Sequence, residues 1–328
     1  MKAIEFELQV IGKSNVYIPT VLNSIEWTTE FSGKPGELKF SAYLTNNFNV
    51  SFGDIVNLSV NGKHVFKGYV FTTRYSTESK VVEVTAYDQI RYLQNDISMA
   101  LEDMTIGQVM AEIAQDFDTK LGSVYDSGTV LTANGAPLIF NSVEALEAIE
   151  TCIEIIRRVE NRMLVLHDDA GVLNLSDIST RFSETLIEAP MVQEIATETT
   201  IDKHTYNRIR LIYGESSDET SENIYIKDGS SISDIGVLAL TQKLNLEGEY
   251  TPEQAADELL KIFREPTREL NVTGVVGDPL VKAGMFVPIS FELDTVVNAQ
   301  NYCTKQVKHK IENGIHTMDL TLMGVDIL

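Results

Sequence analysis

Two stretches near opposite ends of the chain carry the same strand plan, and that repetition constrains the fold more than any single residue. Near the start, residues 53–60 (Gly-Asp-Ile-Val-Asn-Leu-Ser-Val) lead through 65–70 (Val-Phe-Lys-Gly-Tyr-Val) into 81–88 (Val-Val-Glu-Val-Thr-Ala-Tyr-Asp). Near the end, 284–291 (Gly-Met-Phe-Val-Pro-Ile-Ser-Phe) lead through 302–307 (Tyr-Cys-Thr-Lys-Gln-Val) into 316–323 (His-Thr-Met-Asp-Leu-Thr-Leu-Met). Each has a glycine-started strand, a long hairpin and a closing strand at comparable spacing. A duplicated barrel-like unit builds something by repetition; it does not organise a chain around one catalytic pocket.

The rest of the chain divides by hydrophobic period. Residues 1–95 read as β, with Asn61-Gly62 between apolar runs as a short-hairpin turn, since both residues accept positive φ. Residues 96–190 read as a small inserted α+β domain. Its first helix opens at the Thr105-to-Gln108 capping box and turns Ile106, Val109, Met110, Ile113 and Phe117 to one side. A second helix is expected from Asn141 or Ser142, with Val143, Leu146, Ile149, Cys152, Ile156 and Val159 as its stripe, followed by a hairpin turning at 168–171. Residues 191–328 are expected to form the second barrel-like domain, with a strand over 206–213 and a helix near 252–264 that starts at Thr251-Pro252. Between them, 214–223 holds four acids and no base, the pattern of an exposed loop. The fold class is therefore β-rich α+β.

Charge narrows the partners. With 48 acidic against 26 basic residues the net charge is −22. Such a surface repels phosphate backbones and anionic membranes within a Debye length, which argues against stable nucleic-acid binding. It serves either solubility alone or a surface that must not hold polyanions moving past it. No apolar run approaches the ~20 residues of a membrane span, so no membrane insertion is expected. Cys152 and Cys303 lie in unlike contexts and read as two buried free thiols.

Candidate chemistry is thin. Gly12-Lys13-Ser14 has the tail of a phosphate loop, but the glycine required five residues earlier is Glu7. A two-residue turn at Asn313-Gly314 places His316 opposite Ile311 and sets His309 and His316 diagonally on one strand face, roughly 7–8 Å apart. They sit among Val307, Ile311, Met318, Leu320 and Leu322 and lack a third metal ligand. His167-Asp168-Asp169 offers ligand types, yet falls where a hairpin needs turn residues. No nucleophile elbow, zinc-protease helix or EF-hand loop occurs. We therefore expect no catalytic residue, no cofactor and no metal.

Residues 70–75 (Val-Phe-Thr-Thr-Arg-Tyr) followed by 82–95 (Val-Glu-Val-Thr-Ala-Tyr-Asp-Gln-Ile-Arg-Tyr-Leu-Gln-Asn) resemble the XkdQ/YqbQ-type tail-hub proteins of contractile phages, PBSX-like prophages and R-type bacteriocins. Residues 201–213 and 308–320 resemble the second barrel of that family. The resemblance implies a homotrimer in which each protomer gives two similar barrels. The six quasi-equivalent barrels would join a six-fold tail tube to a three-fold spike or needle. Implied partners are a tube or tube-initiator protein, the spike, a LysM-type hub partner and the tape-measure protein. The implied location is a tail assembled from chains made in the bacterial cytoplasm. Two other classes stay open at this level: a cell-wall-degrading enzyme at the tail tip, and a carbohydrate- or receptor-binding module. If strands 81–87, 206–213 and 315–322 are ring edges, then Val82, Val84, Tyr87, Ile209, Leu211, Tyr213, Met318 and Leu320 form the contact between protomers.

Overall fold

The computed structural model describes residues 5–31, 33–45, 48–76, 78–133, 136–202, 205–214, 222–245, 251–290 and 300–323. The chain forms two compact units: Met1–Ala196 with Leu270–Leu328, and Thr197–Glu269. The architecture is the β-rich α+β fold expected from the sequence.

The first module comprises β1 (Phe6–Ile11), β2 (Val16–Tyr17), β3 (Val21–Glu30), β4 (Glu37–Tyr43), β5 (Ile55–Val60), β6 (Lys63–Ser76) and β7 (Val81–Tyr87). Their order is β3-β4-β7-β6-β5-β1-β2, with every neighbouring pair antiparallel. Alternate residues turn inward, so Leu8, Val10, Trp27, Leu38, Phe40, Val56, Leu58, Val82 and Val84 share one core. Asn61 and Gly62 hold φ of 50° and 75°, the two left-handed positions that the β5–β6 hairpin requires.

The inserted segment contains β8 (Asp96–Leu101), α1 (Ile106–Asp116), β9 (Leu121–Val124), β10 (Thr132–Ala133), β11 (Ala136–Glu144), α2 (Ala145–Glu160), β12 (Leu164–Asp168) and β13 (Leu173–Asp177). The Thr105/Gln108 box caps α1 as read, and Ile106, Val109, Met110 and Ile113 pack with Ile149, Cys152 and Ile156 of α2. The second helix starts later than expected. Residues 141–144 instead finish β11 against β8, around a bulge at Ser142, whose φ is 54°. Val159, expected in the buried stripe, is 64% exposed.

Two short strands follow, β14 (Ile187–Glu188) and β15 (Glu194–Thr200). The second unit then contributes β16 (Arg208–Gly214), β17 (Glu222–Asp228), α3 (Ile232–Ile235), β18 (Ala239–Asn245) and α4 (Pro252–Phe263). β16 lies between antiparallel β17 and parallel β18, and Ile209 and Leu211 pack on Ala255, Ala256 and Leu260 of α4. Because this segment closes its own core, the stretch 191–328 is not one body. The acidic 214–223 stretch lies, over 215–221, outside the described residues.

The last module is β19 (Thr267–Val276), β20 (Phe286–Ser290), β21 (Gln300–Glu312) and β22 (Ile315–Met323). Its core holds Leu270, Val272, Val287, Ile289, Val307, Met318, Leu320 and Leu322. Backbone register equates it with the first module. Gly53 and Gly284 both take positive φ, 82° and 72°. Their N–H groups donate to Val70 O at 2.9 Å and Thr304 O at 2.8 Å. The pairs Ile55↔Tyr69 and Tyr69↔Tyr87 match Phe286↔Cys303 and Cys303↔Met323. Each long strand then carries one extra residue against its closing strand, Phe71 in β6 and Lys305 in β21, a bulge at the same place in both ladders. Past the bulge, Arg74↔Glu83 corresponds to Lys308↔Asp319, and Tyr75↔Val82 to His309↔Met318. The strand orders β3-β4-β7-β6-β5-β1 and β15-β19-β22-β21-β20-β14 correspond, although β14 runs parallel to β20 where β1 runs antiparallel to β5.

Candidate functional site: the joint between the modules

The two modules fuse through one strand pair. β3 lies antiparallel to β21 from Glu30↔Gln306 to Ser24↔Glu312, making one continuous sheet from two cores. Acids on β3 meet a base and an amide on β21: Lys308 Nζ lies 2.9 Å from Glu26, and Gln306 Nε2 donates to Glu30 at 3.0 Å. Such exposed pairs contribute well under ~1 kcal/mol each, so they select the register more than they hold it.

The apolar side of the joint is sealed by aromatic rings. Trp27 stacks on His309 at 4.6 Å between centroids, and the Lys282 ammonium sits 5.6 Å from the Trp27 ring. His309 Nε2 donates to Val281 O at 2.9 Å, which leaves its Nδ1 to accept from His316 Nε2 at 3.0 Å. His316 Nδ1 then faces the interior with no hydrogen-bond partner. Burial drives His309 down to about 3, helped by His316, and drives His316 down to about 4 against the pull of Asp278. Both rings are therefore neutral structural groups at pH 7. The sequence placed them on one face in the observed 311:316 register; the structure brings them into direct contact.

A second polar cluster ties in the inserted segment. Asp88, after β7, accepts N–H bonds from Gly36 at 2.8 Å and Ile90 at 3.0 Å. Burial, and then the neighbouring Asp168 carboxylate, push its carboxyl well above the usual range, and burial likewise raises Asp168. Gln89 donates to Asp168 at 3.3 Å, and Lys282 pairs with Asp169 at 2.7 Å. Arg181 donates to Gly284 O at 2.9 Å and also contacts His167 Nε2. Burial, with Arg181 and Lys282 close by, lowers His167 to about 3. His167-Asp168-Asp169 thus serves the hairpin and this cluster, with Asp168 accepting from Gly171 N at 2.6 Å. Among the described residues no group of three His, Cys, Asp or Glu side chains could hold a metal.

Truncating Asp88 strips acceptors from two buried N–H groups and relieves one buried carboxylate. We expect Asp88→Ala to cost about 2 kcal/mol in urea denaturation. Asp88→Asn, which keeps one acceptor oxygen, should cost less. Equal losses in the two variants would show that the two hydrogen bonds are not what Asp88 contributes.

Of the eight residues expected at a protomer contact, six are turned into the cores of the chain. Val82, Val84, Ile209, Leu211, Met318 and Leu320 are buried in the cores of this chain itself, so they have no area to offer a neighbour. The reason is that β7, β16 and β22 are not edges: each has a strand on both sides. Tyr87 and Tyr213 are half-buried, and Tyr87 donates to Glu37 at 3.1 Å. The residues that do organise the joint, Trp27, Asp88, Arg181 and Lys282, carried no motif. Only Asp88 stood inside a family-like segment. Cys152 and Cys303 are free and buried, and burial pushes both thiols up to about 12.

The arrangement has counterparts. The family described as YQBQ-like matches residues 25–323. The uncharacterised protein YqbQ of Bacillus subtilis (strain 168) is 22% identical over 280 residues, covering 84% of this chain and 82% of that one. The 43 kDa tail protein of prophage MuSo2 from Shewanella oneidensis has the same fold, with a TM-score of 0.70 at 13% identity over 98% of this chain and 99% of that one. So does the tail protein of Neisseria meningitidis MC58, at 0.69 and 11% over 98% and 97%. The match over 25–323 takes in both modules and the inserted segment, and the chain belongs to the YQBQ-like family.

Proposed function

We propose that this protein is the structural baseplate hub of a contractile phage-like tail. In this reading three copies assemble so that six modules form a pseudo-six-fold ring, which joins a six-fold tail tube above to a three-fold spike below. The observation that carries it is the module equivalence: the same glycine start, the same bulge and the same ladder recur in one chain. Two equivalent modules per protomer convert three-fold into six-fold symmetry without needing six identical chains. The tail-protein fold of the prophage and Neisseria chains supports the setting. The net charge of −22 suits a passage that must not retain a polyanion. Partners follow from the role: a tube or tube-initiator protein on one face and a spike on the other, with LysM-type and tape-measure proteins adjoining. No described helix is long and apolar enough to cross a membrane. The role is one of scaffolding, with no residue assigned to catalysis.

The test is absolute mass by light scattering after gel filtration, with negative-stain images of the same peak. The expected result is a mass of three chains and ring-shaped particles. A monomer that stays single at every concentration, and does not enter rings when mixed with its tube and spike partners, sinks the proposal.

A further inference from the structure

We propose that copies of this chain join by strand addition, the free edge of β15 pairing antiparallel with residues 72–76 of β6 in a second copy. This rests on the hub reading and names the surface through which that ring would close.

The argument comes from the joint inside the protomer. There, β3 of the first module adds to the far half of β21, residues 306–312, beyond the bulge at Lys305. By register, β21 corresponds to β6 and residues 306–310 correspond to 72–76. By strand order, β3 corresponds to β15. The first module thus uses its β3 on the second module's β21. The second module holds the counterpart of β3, and the first holds the counterpart of β21, neither of them used in such a joint among the described residues.

Both counterparts are open. β6 pairs with β5 only as far as Tyr69, and from Thr72 to Ser76 it has β7 on one side and no described strand on the other. Arg74 is 83% exposed there and Tyr75 47%. Among the described residues β15 is the last strand of the sheet, paired with β19 alone, and five of its seven residues are exposed. Open edges of this kind are templates for another strand. β15 contains no proline and carries Thr197, Thr199 and Thr200, β-branched residues that suit a ladder, while its charges, Glu194 and Glu198, restrict the partner to a strand that offers a base.

Charge is matched in the same sense as in the internal joint. Arg74 occupies the ladder position of Lys308, the residue that reaches Glu26 of β3. β3 presents Glu26 and Glu30 four residues apart; β15 presents Glu194 and Glu198 four residues apart. The contact is heterologous, with one edge meeting a different edge. A heterologous contact repeated from copy to copy forms a ring when its rotation closes, and the hub reading requires that closure at three copies.

Full-length protein and three variants decide it: Arg74→Glu, the double Glu194→Arg/Glu198→Arg, and all three changes together. Light scattering gives the mass of each, and circular dichroism verifies folding. Each one-sided reversal should drop the mass about threefold at micromolar concentration, and the combined variant should recover it. Should Arg74→Glu unfold the chain through repulsion from Glu83, Arg74→Ala gives the same reading without that repulsion. A trimeric wild type whose one-sided variants remain trimeric overturns the strand pairing and leaves the hub reading intact. So does a folded combined variant that stays monomeric. A wild type that never assembles removes the hub reading and this pairing with it.

Discussion

Lowering the pH from 7 to 5 should cost the two-module unit about 4 kcal/mol through His309 and His316 alone. Both are neutral when folded, with values of about 3 and about 4 against about 6.5 for a free ring. A depressed folded value means that the unfolded chain binds the proton first. The stability is therefore complete above pH ~6.5 and is lost as pH falls toward the folded values, by about 2 kcal/mol per ring at pH 5. The structural cause is specific. A proton on His316 would land on Nδ1, which has no acceptor, and one on His309 would break its bond from His316. Asp278 facing His316 softens the penalty and Lys282 near His309 sharpens it. His167 adds to the loss with the same sign. Asp88 and Asp168 act oppositely: their folded values are raised, so their contribution is complete at low pH and is lost as pH rises. The comparison that isolates the rings is wild type against His309→Gln/His316→Gln, by urea denaturation at both pH values. The variant should lose about 4 kcal/mol less on acidification. Identical losses would take the histidine pair out of the explanation.

The second large effect lies at Gly68. A Cβ built there would stand 2.4 Å from Tyr87 O and 2.7 Å from Tyr87 C, and both are backbone atoms of β7. This is where β6 passes from its ladder with β5 to its ladder with β7, through Val56↔Gly68 and Tyr69↔Tyr87. Neither strand can retreat, because β7 is also bound to β4. We expect Gly68→Ala to cost about 3 kcal/mol, the upper end for overpacking. Gly53→Ala is the contrast. It takes φ of 82° but meets nothing within 4 Å, so only left-handed backbone strain of about 1–2 kcal/mol applies. Thermal or urea unfolding of both variants checks the order. A Gly68→Ala protein as stable as the Gly53→Ala one would show that the ladder yields at this crossing. The corresponding position in the last module is Tyr302, so this close approach belongs to the first ladder alone.

Much of the architecture was legible because it is local. Positive-φ turns at Asn61-Gly62 and Asn313-Gly314, the capping box at Thr105 and the proline start at Thr251-Pro252 are written in two to four adjacent residues. The duplicated plan was legible because strand period and glycine starts survive where residue identity does not. What was not legible is non-local. Val82, Val84, Met318 and Leu320 look the same in sequence whether their strands are edges or centres; only the pairing of β4 with β7 and β19 with β22 decides. The start of α2 was misplaced because Asn141 and Ser142 are good helix caps and equally good bulge residues, and β8 settles the matter. Trp27 over His309, and Asp88 beside Asp168, come from positions far apart in the chain.

The bulges at Phe71 and Lys305 also bear on ancestry. A point substitution cannot add a residue to one strand of a ladder or take one away; that takes an insertion or deletion, which shifts every downstream side chain to the opposite face. Two ladders with the extra residue at the same rung are therefore more economically derived from one ancestral hairpin, copied in tandem, than from two independent events. Side chains at matched rungs have since drifted as far apart as Tyr75 and His309, while the rung count has stayed fixed. Between these two ladders the position of the extra rung has outlasted the residues themselves, and it aligns the two halves of the chain where letters no longer do.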